Sequence, residues 1–277
     1  MKALNIVVRA LGVLLATVIF QALSEVVIPI QGPSLPHLAQ WAILSNALVI
    51  ATLTVLALRS DWRGWKLGAA VAMIPMVIAA VNFLEGIVFL THTNLQWGRI
   101  FSVMLLPSAL TIPVWALLFG RRPKVPEHYR PLESKPPGER AWKFAVSDLS
   151  YLFLYYTAGT IIFPYVKDFY ATQHLPSAGT IIALELLIRG PVFVLLCLAI
   201  TRMLGLSRIN GALAVGAIFT LLSGVAPLLL PSPVFPDSVR WVHFSEVTSS
   251  NFVFGAFVGW LWGQPKLSHS PALAQTA

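Results

Sequence analysis

Eight apolar stretches of about 20 residues constrain this chain more than any other feature. They lie at 4–30, 38–58, 67–91, 99–120, 144–165, 178–203, 210–231 and 241–263. A helix of that length crosses the roughly 30 Å of hydrocarbon in a bilayer, because an α-helix rises about 1.5 Å per residue. The composition, with 57% hydrophobic and 11% charged residues, lies outside the soluble class. The sequence therefore predicts an all-α fold, a polytopic membrane helix bundle of about eight transmembrane helices in contact with the lipid bilayer.

The basic residues indicate the orientation of this bundle. Of the 19 Lys and Arg residues, 15 lie at the two ends of the chain or in alternate loops. Such an asymmetry is typical of cytoplasmic loops, so we expect both termini to be cytoplasmic. The net charge of +8 is then explained by topology, and the sequence gives no reason to expect nucleic acid as a partner.

The first apolar stretch has two interpretations. Lys2 and Arg9, followed by an apolar run and "ALS" at 22–24, fit a cleaved signal peptide. The run continues to Ile30, however, which is long enough to span a bilayer. We favour a membrane span and keep the signal peptide as the alternative.

A Pro-rich and charged segment at 121–143 divides the chain. It predicts an extended cytoplasmic linker whose basic residues rest on anionic lipid headgroups. The predicted units are a first four-helix half at 1–120, a second at 144–263, and a disordered cytoplasmic tail at 264–277. Similar segments recur in the two halves at an offset of about 144 residues, which indicates either a duplication or the shared boundary composition of any two helical hairpins.

Motifs of common enzyme chemistry were not found in the sequence. The single cysteine, Cys197, cannot form an intrachain disulfide or a CxxC site. The chain has no Gly-rich phosphate loop, no Ser-His-Asp arrangement and no haem-spaced His pair. The sequence therefore assigns no catalytic residue, no metal and no cofactor.

Five acidic residues lie within the predicted spans. We expect Asp148 to begin its helix, where a carboxylate complements the helix N-terminus. The other four, Glu25, Glu85, Glu185 and Glu246, belong to the predicted outer half of the membrane. Ionisable residues at such depth mark functional sites by default, and Glu85, Glu185 and Glu246 are candidates for the lining of a polar cavity.

His243 and Glu246 stand three residues apart and so share a helix face. One interpretation is a metal or proton site built from His243, Glu246, Glu85 and His92. The alternative, which we favour, is that interfacial His and Glu side chains keep their polar ends in headgroup water.

Glu185 and Arg189 stand one helical turn apart inside an apolar run, in "LELLIRGPVF". Glu placed four residues before a cation is the favoured order for an intrahelical ion pair, which would offset the cost of burying both charges. Pro191 follows and predicts a kink in the helix. The pair fits either a substrate site or a packing device.

The last predicted helix carries a ridge of small residues. Asn251, Gly255, Gly259 and Gly263 recur every four residues. This spacing allows another helix to approach closely, with Asn251 available for an interhelical hydrogen bond. The ridge therefore predicts helix packing, either within the bundle or between the subunits of a homo-oligomer.

The segment "ELLIRG" resembles the first motif of the CPBP intramembrane proteases, relatives of the CAAX prenyl endopeptidases. That motif has two Glu followed after three residues by Arg and often Gly, which Glu185, Arg189 and Gly190 match. Leu184 stands at the first acidic position, and Ser223 stands where the family has a catalytic His four residues after a Phe. The family's terminal His-x-x-x-Asn motif is missing. The resemblance therefore implies at most a degenerate membrane hydrolase.

Residues 150–263 are more similar to a set of uncharacterised bacterial inner-membrane proteins. The similarity lies in "YTAGTIIFPYV", a Pro-rich loop, His-x-x-Glu and Ser-Asn-Phe with the glycine ridge. It implies a multi-pass protein of the bacterial inner membrane and brings no activity with it.

These observations favour a permease-like protein that handles a small solute or a proton in an outward-facing polar cavity. The expected lining residues are Glu185, Arg189, Glu85, Glu246 and His243. A structural or partner-binding membrane protein without enzyme activity is the alternative, and a degenerate CPBP-like hydrolase is the third.

Overall fold

The computed structural model describes residues 3–29, 37–89, 97–120, 135–173, 175–232 and 235–263. These residues form eight helical segments, and none of them lies in a β-strand. The segments are α1 (Ala3–Val27), α2 (Leu38–Arg59), α3 (Gly64–Phe89), α4 (Trp97–Leu110, continued by Ile112–Phe119), α5 (Pro137–Tyr170), α6 (Ala178–Leu204), α7 (Arg208–Leu229) and α8 (Asp237–Trp262). The predicted all-α helix bundle is confirmed.

Seven of the helices in the described part of the chain, α1 to α7, are long and apolar enough to cross a membrane. Helix α8 has 26 residues and a length of about 39 Å, so it is also long enough. Its first half is polar, however, and carries Asp237, Arg240, His243 and Glu246. The chain is therefore a multi-pass helical membrane protein with one unusually polar helix.

The two predicted halves share a single hydrophobic core. Helices α2 and α3 of the first half contact α6 and α7 of the second. The core cluster accordingly joins residues such as Leu53 and Val71 to Phe193, Phe219 and Phe254. Helix α1 lies at the periphery against α2 and α4, with only Val13 and Ser24 buried.

Helix α5 is longer than the sequence indicated, and this corrects two predictions. It begins at Pro137, so the predicted linker 121–143 overlaps its first two turns. Proline suits the first turn of a helix, and Glu139 pairs with Lys143 at 2.8 Å, which extends the helix beyond its apolar part. Asp148 consequently lies about three turns inside the helix, and the prediction that it complements the helix N-terminus is wrong.

The glycine ridge of α8 packs against α7 within the same chain. A Cβ atom built on Gly259 would lie 2.9 Å from Gly211 O, and one on Gly255 would lie 3.0 Å from Gly216 Cα. A Cβ on Gly263 would lie 2.8 Å from Arg208 Cα. Only glycine permits such an approach, so the ridge serves the interior of the bundle, and a homo-oligomer would need another surface.

Helices α6 and α7 each contain one π-helical turn, and in both helices the turn is followed by a proline. Glu185–Arg189 in α6 and Leu221–Val225 in α7 are π-helical turns, closed by the Gly190 and Ala226 backbone N–H groups. Each turn is followed by a proline, Pro191 or Pro227. The proline ring clashes with the carbonyl four residues earlier and lacks an N–H, which accounts for the wider turn.

Several predicted features lie outside the described residues. They are His92, most of the 121–143 linker with its anionic-lipid contact, and the tail 264–277.

Candidate functional site

A cavity of about 270 Å³ lies between α3, α5, α6, α7 and α8. This volume is close to the lower end of the range for ligand pockets, ~300 Å³. Polar side chains supply much of its wall, namely those of Asn82, Glu85, Tyr151, Tyr155, Tyr170, Arg189, Ser223, Arg240, His243, Glu246, Ser250 and Asn251. Phe89, Phe235 and Phe254 add apolar rings. The cavity thus combines charge with aromatic surface.

One wall holds an ion cluster around Arg189. Its Nη1 lies 2.6 Å from Glu85 Oε1 and 3.0 Å from Glu185 Oε1. Glu185 is completely buried, whereas 8% of Arg189 and 28% of Glu85 remain exposed. Asn82 accepts a weaker hydrogen bond from Arg189 Nη2 at 3.4 Å. Glu85 therefore brings α3 of the first half into contact with the charged pair on α6.

Aromatic rings enclose the same guanidinium. Its Cζ lies 5.8 Å from the ring centroid of Tyr151, 6.0 Å from that of Tyr155 and 5.4 Å from that of Phe193. Cations are attracted to ring faces at such distances. These rings and the two carboxylates together stabilise a cation that lipid alone would exclude.

Three hydrogen-bonded side chains, those of Tyr170, His243 and Glu246, form another part of the cavity lining. His243 Nδ1 lies 2.7 Å from Glu246 Oε2, and His243 Nε2 lies 2.8 Å from the Tyr170 hydroxyl. With the neutral ring protonated on Nδ1, His243 donates to Glu246 and accepts from Tyr170. The chain Tyr170–His243–Glu246 can therefore hold or relay a proton between α5 and α8.

Arg240, in the first turn of α8, also lines the cavity. Its Nε and Nη2 donate to Asp237 Oδ1 at 3.2 and 2.9 Å, and its Nη1 donates to the carbonyls of Leu228 and Leu229. The side chain is 4% exposed. Arg240 thus ties the start of α8 to the end of α7 and uses all of its nitrogens in doing so.

Both π-helical turns contribute to the cavity. Arg189 ends the first turn and Ser223 lies in the second, and both side chains line the cavity. Asn251 Nδ2 donates to Ser223 Oγ at 2.9 Å, which links α8 to the second turn. Single π-helical turns inside α-helices occur frequently at functional sites.

The structure places four of the five residues predicted for a cavity in one lining. Glu85, Arg189, Glu246 and His243 face the cavity. Glu185 does not, because it lies behind Arg189 and is fully buried. Glu25, the remaining acidic residue of the predicted outer half, is exposed on α1.

Sequence reasoning missed the tyrosines of α5 and the contact of Glu85 with Arg189. Tyr151, Tyr155 and Tyr170 lie on one helix, but the sequence of that helix does not show that α6 and α8 pack against it. The pairing of Arg240 with Asp237 could have been predicted from the sequence, because Asp237 stands three residues before Arg240 and so shares its helix face.

No group of three or more His, Cys, Asp or Glu side chains within the described residues could hold a metal ion. The metal site considered from sequence included His92, which lies outside those residues. His243 and Glu246 are instead hydrogen-bonded to each other.

Comparisons with protein-family models, with curated proteins and with solved structures find no significant match to this chain.

Proposed function

We propose that the chain is a bacterial inner-membrane protein that handles a small solute or a proton through this cavity, in the manner of a permease. The supporting observation is that ionisable residues from both predicted halves converge on one small cavity inside a membrane helix bundle. Such residues are costly in a bilayer and mark substrate or ion pathways by default.

The proposed orientation follows the positive-inside rule. Both termini face the cytoplasm, and the cavity, which lies at the end of α3 and the start of α8, faces the outside. Motion between an outward-open and an inward-open state then exposes the cavity to each side in turn. The two π-helical turns, with their interrupted backbone bonding, are suitable places for α6 and α7 to bend.

The alternative hypothesis from the sequence is a partner-binding role, with the glycine ridge of α8 as the contact surface. That ridge is occupied by α7. A homo-oligomer, and the contact of the 121–143 loop with anionic lipid headgroups, stay predictions that need surfaces other than the ridge.

A degenerate membrane hydrolase ranks third. Glu185 is held by Arg189, with both carboxylate oxygens 3.0–3.1 Å from Nη1. Ser223 donates its hydroxyl proton to Phe219 O. Neither residue is arranged to activate water, so the cavity favours binding over hydrolysis.

Accessibility of the cavity tests the proposal. Cys197 is the only cysteine, so Cys197→Ser provides a cysteine-free background. In that background, Ser250→Cys places a thiol in the cavity, and Phe153→Cys places one on the lipid-facing surface of α5 as control. Right-side-out and inside-out vesicles are then treated with a membrane-impermeant thiol reagent.

We expect the thiol of Ser250→Cys to react with reagent added from the outside. It should react more slowly with reagent added from the inside, because the protein adopts the inward-open state less often. The thiol of Phe153→Cys should react from neither side. A cavity thiol that reacts from neither side would contradict the permease proposal. It would favour a structural role for the charged cluster.

A further inference from the structure

We infer that the ligand of this cavity is a small organic cation, an amine or quaternary ammonium compound. It would be held by the carboxylates of Glu85 and Glu246 and by the aromatic rings of the wall. This inference rests on the proposed function and adds the chemical class of the solute.

The first argument is the balance of charge around the cavity. Glu85, Glu246, Arg189 and Arg240 line the cavity, and each guanidinium is also paired with a carboxylate outside the lining, Arg189 with Glu185 and Arg240 with Asp237. The four carboxylates outnumber the two guanidiniums, so the group has an excess of negative charge. Because low-dielectric walls focus the field of such an excess, the cavity should favour cations over anions.

The second argument is that neither guanidinium is available to an anion. Arg189 Nη1 is engaged by two carboxylates and Nη2 by Asn82, while its Nε, which has no hydrogen-bond partner among the described residues, is buried out of reach of the cavity. Arg240 donates from all three nitrogens to Asp237 and to backbone carbonyls. An anionic ligand would have to displace these partners.

Acceptor oxygens, in contrast, remain available on the wall. Glu85 uses Oε1 for Arg189 and is still 28% exposed. Glu246 uses Oε2 for His243, and its Oε1 has no hydrogen-bond partner among the described residues. These two carboxylates come from α3 and α8 and face the same cavity.

The third argument distinguishes an organic cation from a metal ion. Aromatic rings of Phe89, Tyr155, Tyr170 and Phe235 line the cavity beside the carboxylates. Ring faces attract ammonium groups and bury alkyl groups, whereas a metal ion needs a closer cluster of oxygen or nitrogen ligands. No such cluster is found in the described part of the chain.

Charge-selective thiol modification tests this class. Purified Cys197→Ser/Ser250→Cys protein in nanodiscs is treated with methanethiosulfonates that carry a trimethylammonium, a hydroxyl or a sulfonate group. Each rate is divided by that of the same reagent with free thiol. We expect the cationic reagent to be favoured over the anionic one by about tenfold or more.

Removing one wall carboxylate should reduce this preference. Glu246→Gln keeps the side-chain size and a hydrogen bond to His243, and we expect it to lower the cation preference several-fold. Glu25→Gln is the matched control, because it removes a carboxylate of the same predicted outer half that lies outside the cavity. The comparison of reagents on the Cys197→Ser/Ser250→Cys protein itself does not depend on the folding of either Gln variant.

Protection from modification supplies the second readout. Choline should slow the reaction of Ser250→Cys with the hydroxyl reagent, and 3,3-dimethylbutanol, its uncharged analogue of similar shape, should do so much less. Equal protection by the two, or reaction rates without charge preference, would overturn the organic-cation inference while leaving the permease proposal standing. A thiol that no reagent reaches from either side would overturn both.

Discussion

Glu85 on α3 and Arg189 on α6 form an ion pair, with Glu85 Oε1 2.6 Å from Arg189 Nη1. The two residues come from different predicted halves of the chain, and Glu185 joins the pair from within α6 at 3.0 Å. One guanidinium therefore neutralises charge on two helices. The stability of the bundle should depend on it.

Replacing Arg189 by methionine should destabilise the protein strongly. The change leaves Glu185 fully buried without its cation, and removing one partner of a buried pair costs about 3–5 kcal/mol. Arg202→Met is the control, because Arg202 lies on the same helix and is exposed. Unfolding of the purified variants in mixed micelles gives both free energies. Equal losses for Arg189→Met and Arg202→Met would show that the pair does not stabilise the bundle.

A double-mutant cycle should measure the energetic coupling between Glu185 and Arg189. We expect Glu185→Gln and Arg189→Met to show a coupling free energy of about 1 kcal/mol or more, since they share one ion pair. The cycle is measured by unfolding in lipid nanodiscs. Little coupling, together with stabilisation by Glu185→Gln, would show that Arg189 does not compensate the buried carboxylate.

Asp148→Ala should stabilise the protein. Asp148 Oδ1 is buried and has no hydrogen-bond partner among the described residues, and it lies against the Cα of Gly190 on α6. Removing an unsatisfied buried polar group is worth about 1–3 kcal/mol, and we expect the lower end because Asp148 as a whole is only half-buried. Asp168→Ala, an exposed aspartate on the same helix, is the control and should change the free energy of unfolding little. A loss of stability in Asp148→Ala would show that the carboxylate has a binding partner in the membrane.

Gly259→Ala should destabilise the contact between α7 and α8. Its new Cβ would lie 2.9 and 3.1 Å from two backbone atoms, Gly211 O and Ala212 Cα, and 3.0 Å from the side-chain Cβ of Val215. Overpacking of this kind costs about 1–3 kcal/mol. Gly138→Ala is the matched control, because nothing lies within 4 Å of its Cβ position and alanine favours the helix. If both variants have the same midpoint of thermal unfolding, the close approach of the two helices is not needed for stability.

Asn251→Ala should have a smaller effect. It removes the 2.9 Å hydrogen bond from Nδ2 to Ser223 Oγ, and such bonds between membrane helices are worth about 0.6–1.7 kcal/mol. The double variant with Ser223→Ala should lose little more than either single variant. Additive losses in the unfolding free energy would show that the two side chains act independently.

The sequence by itself determined the membrane class, the all-α fold and the approximate positions of the helices. It also placed Glu185 beside Arg189 and His243 beside Glu246. All of these follow from the composition and spacing of residues within one helix, because apolar length decides whether a segment can span a bilayer and residues three or four apart share a helix face.

Only the tertiary structure decided which helices meet. It brought Glu85 to Arg189, Tyr170 to His243 and the glycine ridge to α7. It also moved Asp148 from the expected start of α5 to a half-buried position beside Gly190. The physical reason is that lipid tails are as apolar as the helices themselves, so hydropathy does not encode the choice of neighbour. Close packing and interhelical polar contacts between residues distant in sequence determine it.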